Sequence, residues 1–115
     1  MEISQKAKQI AEILSNKKAQ DILIIHVSDK TIISDYFVVA SANSSTHVST
    51  LAQEVDFKMG QAGIKPLRME GVREGRWVVI DYGDVLVHIF HNEEREFYQL
   101  ERLWADDNNC VKYEE

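Results

Sequence analysis

The chain has 115 residues, 44% of them hydrophobic, which favours one globular domain with one core; we find no apolar run long enough to span a bilayer and expect no secretory signal. Its single cysteine, Cys110, excludes an internal disulfide and a cysteine-based metal cluster, as expected in a reducing cytoplasm. The formal net charge of −6 argues against broad contact with bare nucleic acid and suits a basic protein partner.

The first part of the chain predicts a helix followed by two strands. Residues 3–17 place apolar side chains on one side of a helix that Ser4 can cap, with lysines on the other side. Residues 21–27 and 35–41 are short runs rich in β-branched and apolar side chains, which is typical of strands. We therefore expect an amphipathic helix lying on a sheet.

A second helix is predicted from residue 43, where apolar residues begin to recur at helical spacing. Asn43, Ser44 and Ser45 are suitable N-caps, and Gly63 is a suitable stop. The free N–H groups at this helix start could also face a phosphate, although an ordinary cap explains the same residues. A short strand over residues 64–70 follows.

The stretch 70–90 predicts a tight β-hairpin, with strands over 76–81 and 84–90 and Tyr82-Gly83 between them. Gly83 is expected to take the positive φ angle of the turn. Both faces are largely apolar, so we expect the hairpin inside a sheet covered on both sides. Pairing Asp81 with Asp84 would place on one face Trp77, Val79, Asp81, Asp84, Leu86 and His88, and on the other Val78, Ile80, Val85, Val87 and Ile89.

A third helix is predicted after residue 90, capped by Asn92 and followed by an aperiodic stretch. Its apolar stripe would comprise Phe97, Leu100, Leu103 and Trp104, whereas Glu94, Arg95, Tyr98 and Gln99 should be solvated. Residues 106–115 are expected to be a mobile tail. The predicted fold is a single α/β domain with a mixed five-stranded sheet flanked by about three helices.

Two questions about polar and aromatic residues in and near the hairpin remain open, namely whether three aspartates bind a metal ion and whether Trp77 is buried or exposed. Asp35, Asp81 and Asp84 would hold a divalent ion if they met, but aspartates are common at strand ends without any ligand. Trp77 is either part of the core or an exposed interface anchor, and His88 would pack against it or form a hydrogen bond with it. No nucleophile or phosphate-binding glycine loop is recognisable, which favours a binding module over an enzyme.

Four segments together resemble the ribosomal silencing factor family, also called the Iojap family. They are SDYFVVASANSSTHV, PLRMEG, GRWVVIDYGDVLVHIF and EEREFYQLERLW, and the similarity runs over residues 4–105. The resemblance implies a mixed-sheet α/β fold related to the nucleotidyltransferases but without their known activity. Residues 1–105 would form the silencing-factor domain.

The resemblance also implies a function and its partner. Family members bind the large ribosomal subunit through large-subunit ribosomal protein fourteen, prevent the small subunit from joining, and so lower translation; organellar members take part in ribosome assembly. By this resemblance the chain would be a translational repressor. Its composition and charge add the expectations of a cytoplasmic location, no membrane association and little direct RNA contact, and no cofactor or metal is expected. A homodimer is also possible, because an edge strand or an exposed aromatic patch could pair two copies.

The binding residues implied by the resemblance lie in and next to the hairpin. They are Trp77 and Tyr82, with Glu70, Arg76, Asp81 and Asp84 as neighbouring candidates. Ala42 stands where the family pattern usually has glycine, which weakens a phosphate site at that turn. The alternatives are a large-subunit assembly factor and a nucleotidyltransferase-like enzyme that would use Asp35, Asp81, Asp84 and Mg²⁺.

Overall fold

Six strands and four helical segments make up the computed structural model, which describes residues 4–113. In chain order they are α1 (Gln5–Asn16), β1 (Gln20–His26), β2 (Tyr36–Ala42), α2 (Ser45–Gln61), β3 (Arg68–Glu70), β4 (Trp77–Asp81), β5 (Val85–His91), α3 (Asn92–Tyr98), α4 (Leu100–Trp104) and β6 (Cys110–Lys112). None of these helices has the length and apolar character needed to cross a bilayer.

The strands form one mixed sheet in the order β3-β4-β5-β2-β1-β6. Strands β2 and β5 are parallel and every other neighbouring pair is antiparallel, which confirms the prediction of a mixed α/β sheet. The expected number of five strands is wrong, because Val111 pairs with Ile24 and adds β6 at the edge. The domain limit at residue 105 stays a prediction, although β6 joins the sheet from beyond it. The relation to nucleotidyltransferases also stays a prediction.

The two N-terminal helices begin as their capping residues predict. The Ser4 hydroxyl accepts a hydrogen bond from the Ala7 amide at 3.3 Å, and the Ser44 hydroxyl accepts one from the His47 amide at 3.1 Å. Gly63, just after α2, has φ +82°, as a C-terminal stop requires. Residue 3, the predicted start of the first helix, lies outside the described residues.

Helices α1 and α2 cover one face of the sheet, whereas the opposite face is covered only in part. On that second face, Leu100 and Trp104 pack against a cluster of Ile25, Val27, Phe37, Val39 and Phe90. Strand β4 alternates half-buried and buried residues, so one of its faces remains partly open. The expectation of cover on both sides is confirmed for the middle of β5, residues 87–90, and wrong for β4.

The third predicted helix differs from expectation because it breaks into α3 and α4. Gln99 takes a left-handed conformation with φ 48° and interrupts the helix. The single stripe is therefore lost: Phe97 is 79% exposed and Leu103 is 74% exposed. The N-cap is His91, whose Nδ1 accepts a hydrogen bond from the Glu93 amide at 3.2 Å, and Asn92 is the first helical residue.

Arg95, predicted to be solvated, is instead buried between α3 and the sheet. Its Nε donates to Glu101 Oε2 at 3.1 Å, and its Nη1 donates to the Ser41 hydroxyl at 3.2 Å. A guanidinium can be buried in this way because its donors are paired with a carboxylate and a hydroxyl. Arg95 thus connects both sides of the helix break to β2.

Candidate functional site

The hairpin that carries the predicted site is formed by β4 and β5, with a register two residues away from the expected one. Asp81 pairs with Leu86 and Trp77 with Phe90, so the centre of the turn is Gly83-Asp84. The Asp81 Oδ1 accepts a hydrogen bond from the Gly83 amide at 2.8 Å, and Gly83 has the expected positive φ of +88°. A shift by two residues leaves every side chain on its predicted face.

Tyr82 lies on the face of the hairpin that packs against the helices, and it is only 6% exposed. Its hydroxyl is buried and forms no hydrogen bond within residues 4–113. Burial, with a smaller contribution from the charge of Asp56, raises the pKa of Tyr82 to about 12. The structure therefore places Tyr82 in the core, apart from Trp77 on the opposite face.

Trp77 is packed against its neighbours and partly exposed at the same time, so its surroundings are compatible with both interpretations of its sequence context. Its ring stacks on Phe90 at a centroid distance of 4.8 Å and contacts Tyr98 at 5.0 Å. Its indole Nε1 donates a hydrogen bond to His88 Nδ1 at 3.2 Å. The side chain is nevertheless only half-buried, so part of its surface is available to a partner.

The exposed part of Trp77 faces a surface groove of about 510 Å³. We call this surface the Trp77 groove; it is lined by Glu70, Gly71, Glu74, Arg76, Trp77, Val79, Glu94 and Tyr98. Gly71 has φ +85°, and a Cβ at this position would collide with the carbonyl of Trp77. The groove brings together three predicted site residues, namely Glu70, Arg76 and Trp77.

Arg76 forms a close ion pair within the groove. Its Nη2 lies 2.5 Å from Glu94 Oε1, and its Nε donates to Glu94 Oε2 at 3.1 Å. The hydrogen bond to Glu94 raises the pKa of Arg76 above its ordinary value. Because Arg76 is paired with Glu94, the other two charged residues of the groove lining, Glu70 and Glu74, give it an acidic character. Glu70 also has an exposed cation beside it, since Arg68 Nε lies 3.9 Å from Glu70 Oε1.

Asp81 and Asp84 occupy the hairpin tip, where each is paired with a cation outside the groove. Arg68 Nη2 lies 3.7 Å from Asp81 Oδ2, and Lys6 Nζ lies 2.7 Å from Asp84 Oδ1. Between residues 4 and 113, no three His, Cys, Asp or Glu side chains come together in a group that could hold a metal ion. Asp35, Asp81 and Asp84 are therefore not assembled into the trio that the enzyme alternative requires.

The turn that precedes α2 is held by protein groups. The Asn43 side-chain oxygen accepts a hydrogen bond from the Asn92 amide group, which also donates to Gln20 Oε1 at 2.9 Å. Ser44 caps α2 through its hydroxyl, which confirms the ordinary cap interpretation. The turn lies at the opposite end of β2 from the hairpin tip.

Sequence reasoning missed the contribution of α3 to the groove. Tyr98 was expected only to be solvated; it is 50% exposed and also contacts Trp77, while Phe97 contacts Tyr98 at 4.9 Å. The signal that could have shown this is the pairing of Trp77 with Phe90, since α3 starts two residues later and must turn back past Trp77. The two-residue error in register concealed this proximity.

Comparisons with known proteins match nearly the entire chain. A family model described as "Ribosomal silencing factor during starvation" matches residues 1–115. The ribosomal silencing factor of Bacillus subtilis is 40% identical over 99 residues, which are 86% of this chain and 84% of that protein. A crystal structure of a Chromobacterium violaceum protein has a TM-score of 0.86 at 33% identity, covering 95% of this chain and 92% of that one.

A more distant relative is a mouse protein whose name describes it as mitochondrial. The mouse protein named "Mitochondrial assembly of ribosomal large subunit protein 1" is 30% identical over 99 residues. The match covers 84% of this chain but 43% of the mouse protein, so the shared part is one portion of a longer chain.

Proposed function

The chain belongs to the ribosomal silencing factor family, and from this premise we propose that it is a cytoplasmic translational repressor acting on the large ribosomal subunit. It binds that subunit through large-subunit ribosomal protein fourteen. While bound, it occupies the surface that the small subunit would contact. Repression then requires occupancy and no turnover of a substrate, so the protein is not an enzyme.

The observation that carries this proposal is the acidic and aromatic character of the Trp77 groove. Tryptophan and tyrosine are the residue types that often supply most of the binding energy at protein interfaces, and here Trp77 and Tyr98 lie side by side. Glu70 and Glu74 lie on the same surface. This combination suits the hydrocarbon stems and charged ends of lysine and arginine side chains on a basic protein.

The charge of the whole chain supports a protein partner over RNA. The formal net charge is −6, and exposed ribosomal RNA is lined with phosphates that would repel it. A basic ribosomal protein within that RNA surface would attract the acidic groove and set its orientation. We therefore expect little direct contact with RNA.

The residues that we propose for partner contact are Glu70, Trp77 and, as a newly added one, Tyr98. Arg76 lines the groove and is held in place by its ion pair with Glu94. Asp81 and Asp84 do not line the groove; they lie at the hairpin tip and pair with Arg68 and Lys6. Tyr82 is left out of the contact surface because its side chain is buried on the other face of the sheet.

Sedimentation with purified ribosomal subunits tests the proposal. The protein is mixed with separated large or small subunits and pelleted through a sucrose cushion, and we expect it to pellet with large subunits alone. Purified large-subunit ribosomal protein fourteen should compete for the protein. Pelleting with small subunits only, or with neither subunit, would reject the proposed function.

A second candidate function is a role in assembly of the large subunit, which the name of the mouse relative favours. An assembly factor would bind the same subunit but prefer its precursors. Binding measured against precursor and mature large subunits separates the two roles, since a silencing factor must bind the mature particle.

The enzyme alternative is less well supported, because Asp81 and Asp84 are paired with Arg68 and Lys6 and do not form a cluster with Asp35. Titration calorimetry with Mg²⁺ and nucleoside triphosphates tests it directly. Binding that disappears in Asp81→Asn would restore this alternative.

A further inference from the structure

His88 is the buried polar residue directly beneath the Trp77 groove. It lies on β5 opposite Val79, is 5% exposed, and belongs to the sheet face that carries Trp77. Its ring contacts Phe37 edge-on at 5.0 Å and lies 6.2 Å from the ring of Phe90. An apolar side chain could fill this buried site without a cost, whereas a buried imidazole costs free energy unless it forms a hydrogen bond.

The hydrogen bond with Trp77 determines which nitrogen of the His88 imidazole carries the proton. An indole N–H can only donate, so His88 Nδ1 is the acceptor at 3.2 Å and the ring proton lies on Nε2. Nε2 is buried and has no hydrogen-bond partner within residues 4–113. Burial also lowers the pKa of His88 to about 4, so the ring is neutral near pH 7 and keeps Nδ1 free to accept.

We propose that His88 is a positioning residue that fixes the orientation of the Trp77 indole, so that the groove offers the carbon surface of the ring to its partner. The inference rests on the proposed function of the Trp77 groove. Whether His88 orients the Trp77 indole is a property of the free protein and can be tested without a partner.

The contacts of Trp77 show why an additional constraint is needed. Stacking on Phe90 and contact with Tyr98 restrict the plane of the indole, but the outer side-chain torsion of tryptophan has two broad minima that differ in where Nε1 points. The hydrogen bond to His88 selects one of these minima. An orientation fixed before binding reduces the entropy that association must overcome.

The same hydrogen bond sets the chemistry that remains for the partner. With its only donor directed to His88 and one ring face stacked on Phe90, what the indole has left to offer the groove is carbon, from its C–H edges and the ring surface that Phe90 does not cover. Those surfaces attract the stem or the cation of a lysine or arginine side chain, and Glu70 lies on the same groove to receive the charge. His88 thus acts on the partner only through Trp77.

Two substitutions separate positioning from packing. His88→Leu fills the site with an apolar side chain of similar volume but removes the acceptor, whereas His88→Asn retains an oxygen close to the position of Nδ1. The indole N–H signal of Trp77, identified by its loss in Trp77→Phe, is followed by nitrogen-15 NMR in the free protein. Affinity for purified large subunits is measured in parallel, with Phe57→Ala as a control on an exposed aromatic residue of α2.

We expect the Trp77 signal in His88→Leu to move towards that of an indole without a hydrogen bond and to exchange faster with solvent. Affinity should fall about three- to tenfold, the size expected for one lost hydrogen bond. His88→Asn should recover most of both properties. An unchanged Trp77 signal in His88→Leu, or a changed signal with unchanged affinity, would overturn the inference.

Two further outcomes are also decisive. If His88→Leu does not fold, Trp77→Phe replaces it, since this variant keeps an aromatic ring and removes the donor; affinity equal to the wild type would overturn the inference. If the wild type itself does not bind large subunits, the proposed function fails, while the NMR comparison still decides whether His88 orients Trp77.

Discussion

Trp77 shows what can and cannot be predicted for a single residue. The alternation of β4 correctly placed it on the same face as His88, because strand parity depends only on counting residues. Parity does not reveal what covers a face, so core and interface roles remained open. The structure shows the ring packed on Phe90 with part of its surface lining the groove, and the interface role of that surface stays a proposal.

Tyr82 was predicted to be a binding residue but is buried, because the sequence of a hairpin turn does not show whether an aromatic residue in it is buried or exposed. We predict that Tyr82→Phe leaves affinity for large subunits unchanged and leaves stability unchanged or raised by up to about 1 kcal/mol. The reason is that the hydroxyl is buried without a hydrogen-bond partner in the described structure, so its removal forfeits no bond. Urea unfolding provides the measurement, and a loss of more than about 1 kcal/mol would show that the hydroxyl is hydrogen-bonded after all.

His88 should make the protein less stable as the pH falls from about 6.5 to about 4. Its folded-state pKa of about 4 lies below the ordinary value of 6.5, so the unfolded chain binds the proton first in this range. The full effect on the free energy of unfolding is roughly 3 kcal/mol. It is measured as the difference between wild type and His88→Asn across this pH range, which removes the contribution of the carboxylates; a difference that does not change with pH would contradict a buried neutral His88.

Among the helices and strands, the third helix was predicted at the right place in the chain, but its break into α3 and α4 was not predicted. Helix forms on both sides of Gln99, as α3 and α4. A single left-handed residue redirects the chain between them, and a glutamine carries no local signal for that conformation. The tertiary interactions of Arg95 explain how the break is held. The bond to Ser41 joins residues 54 positions apart in sequence, so the periodicity of the helix cannot reveal it.

Arg95 is therefore expected to matter for stability. Arg95→Met should lower the free energy of unfolding by roughly 3 kcal/mol, since it leaves the partly buried carboxylate of Glu101 without its cation. Arg102→Met, on the exposed side of α4, is the matched control and should change stability by less than about 0.5 kcal/mol. Equal effects of the two substitutions in thermal or urea unfolding would show that Arg95 does not connect the elements.

Strand β6 was missed for a related reason. Only Cys110, Val111 and Lys112 form it, and three residues in a polar context carry too little alternation to predict a strand. What defines β6 is the free edge of β1, a property of the folded sheet. Longer elements such as α2 carry their own signal and were predicted correctly.

For the molecule as a whole, the mixed sheet followed from the chain order of helices and strands. A crossover helix between β2 and the later strands permits a parallel pair, and the short hairpin requires an antiparallel one. The partly open face of β4 did not follow, because it depends on how far α3 and α4 extend over the sheet. That open area is where the acidic Trp77 groove lies.

An acidic groove that recognises a basic partner should bind in a salt-dependent manner. We predict that affinity for large subunits falls as the salt concentration rises, and that Glu70→Lys weakens binding at low salt and reduces this dependence. Glu12→Lys, on the exposed side of α1, makes the same change in net charge and should have a smaller effect. Equal effects of the two variants in sedimentation at several salt concentrations would argue for net charge alone, without a defined groove.

The joining of purified ribosomal subunits tests repression by occupancy most directly. Separated large and small subunits are mixed at a magnesium concentration that permits joining, with the protein in excess, and the joined fraction is measured by sucrose-gradient sedimentation. Wild type and Phe57→Ala should reduce the joined fraction strongly, whereas Trp77→Ala should need about tenfold or more protein for the same reduction because it removes the proposed anchor. Full joining while wild-type protein is bound to the large subunit would contradict the claim that it acts by blocking the small subunit.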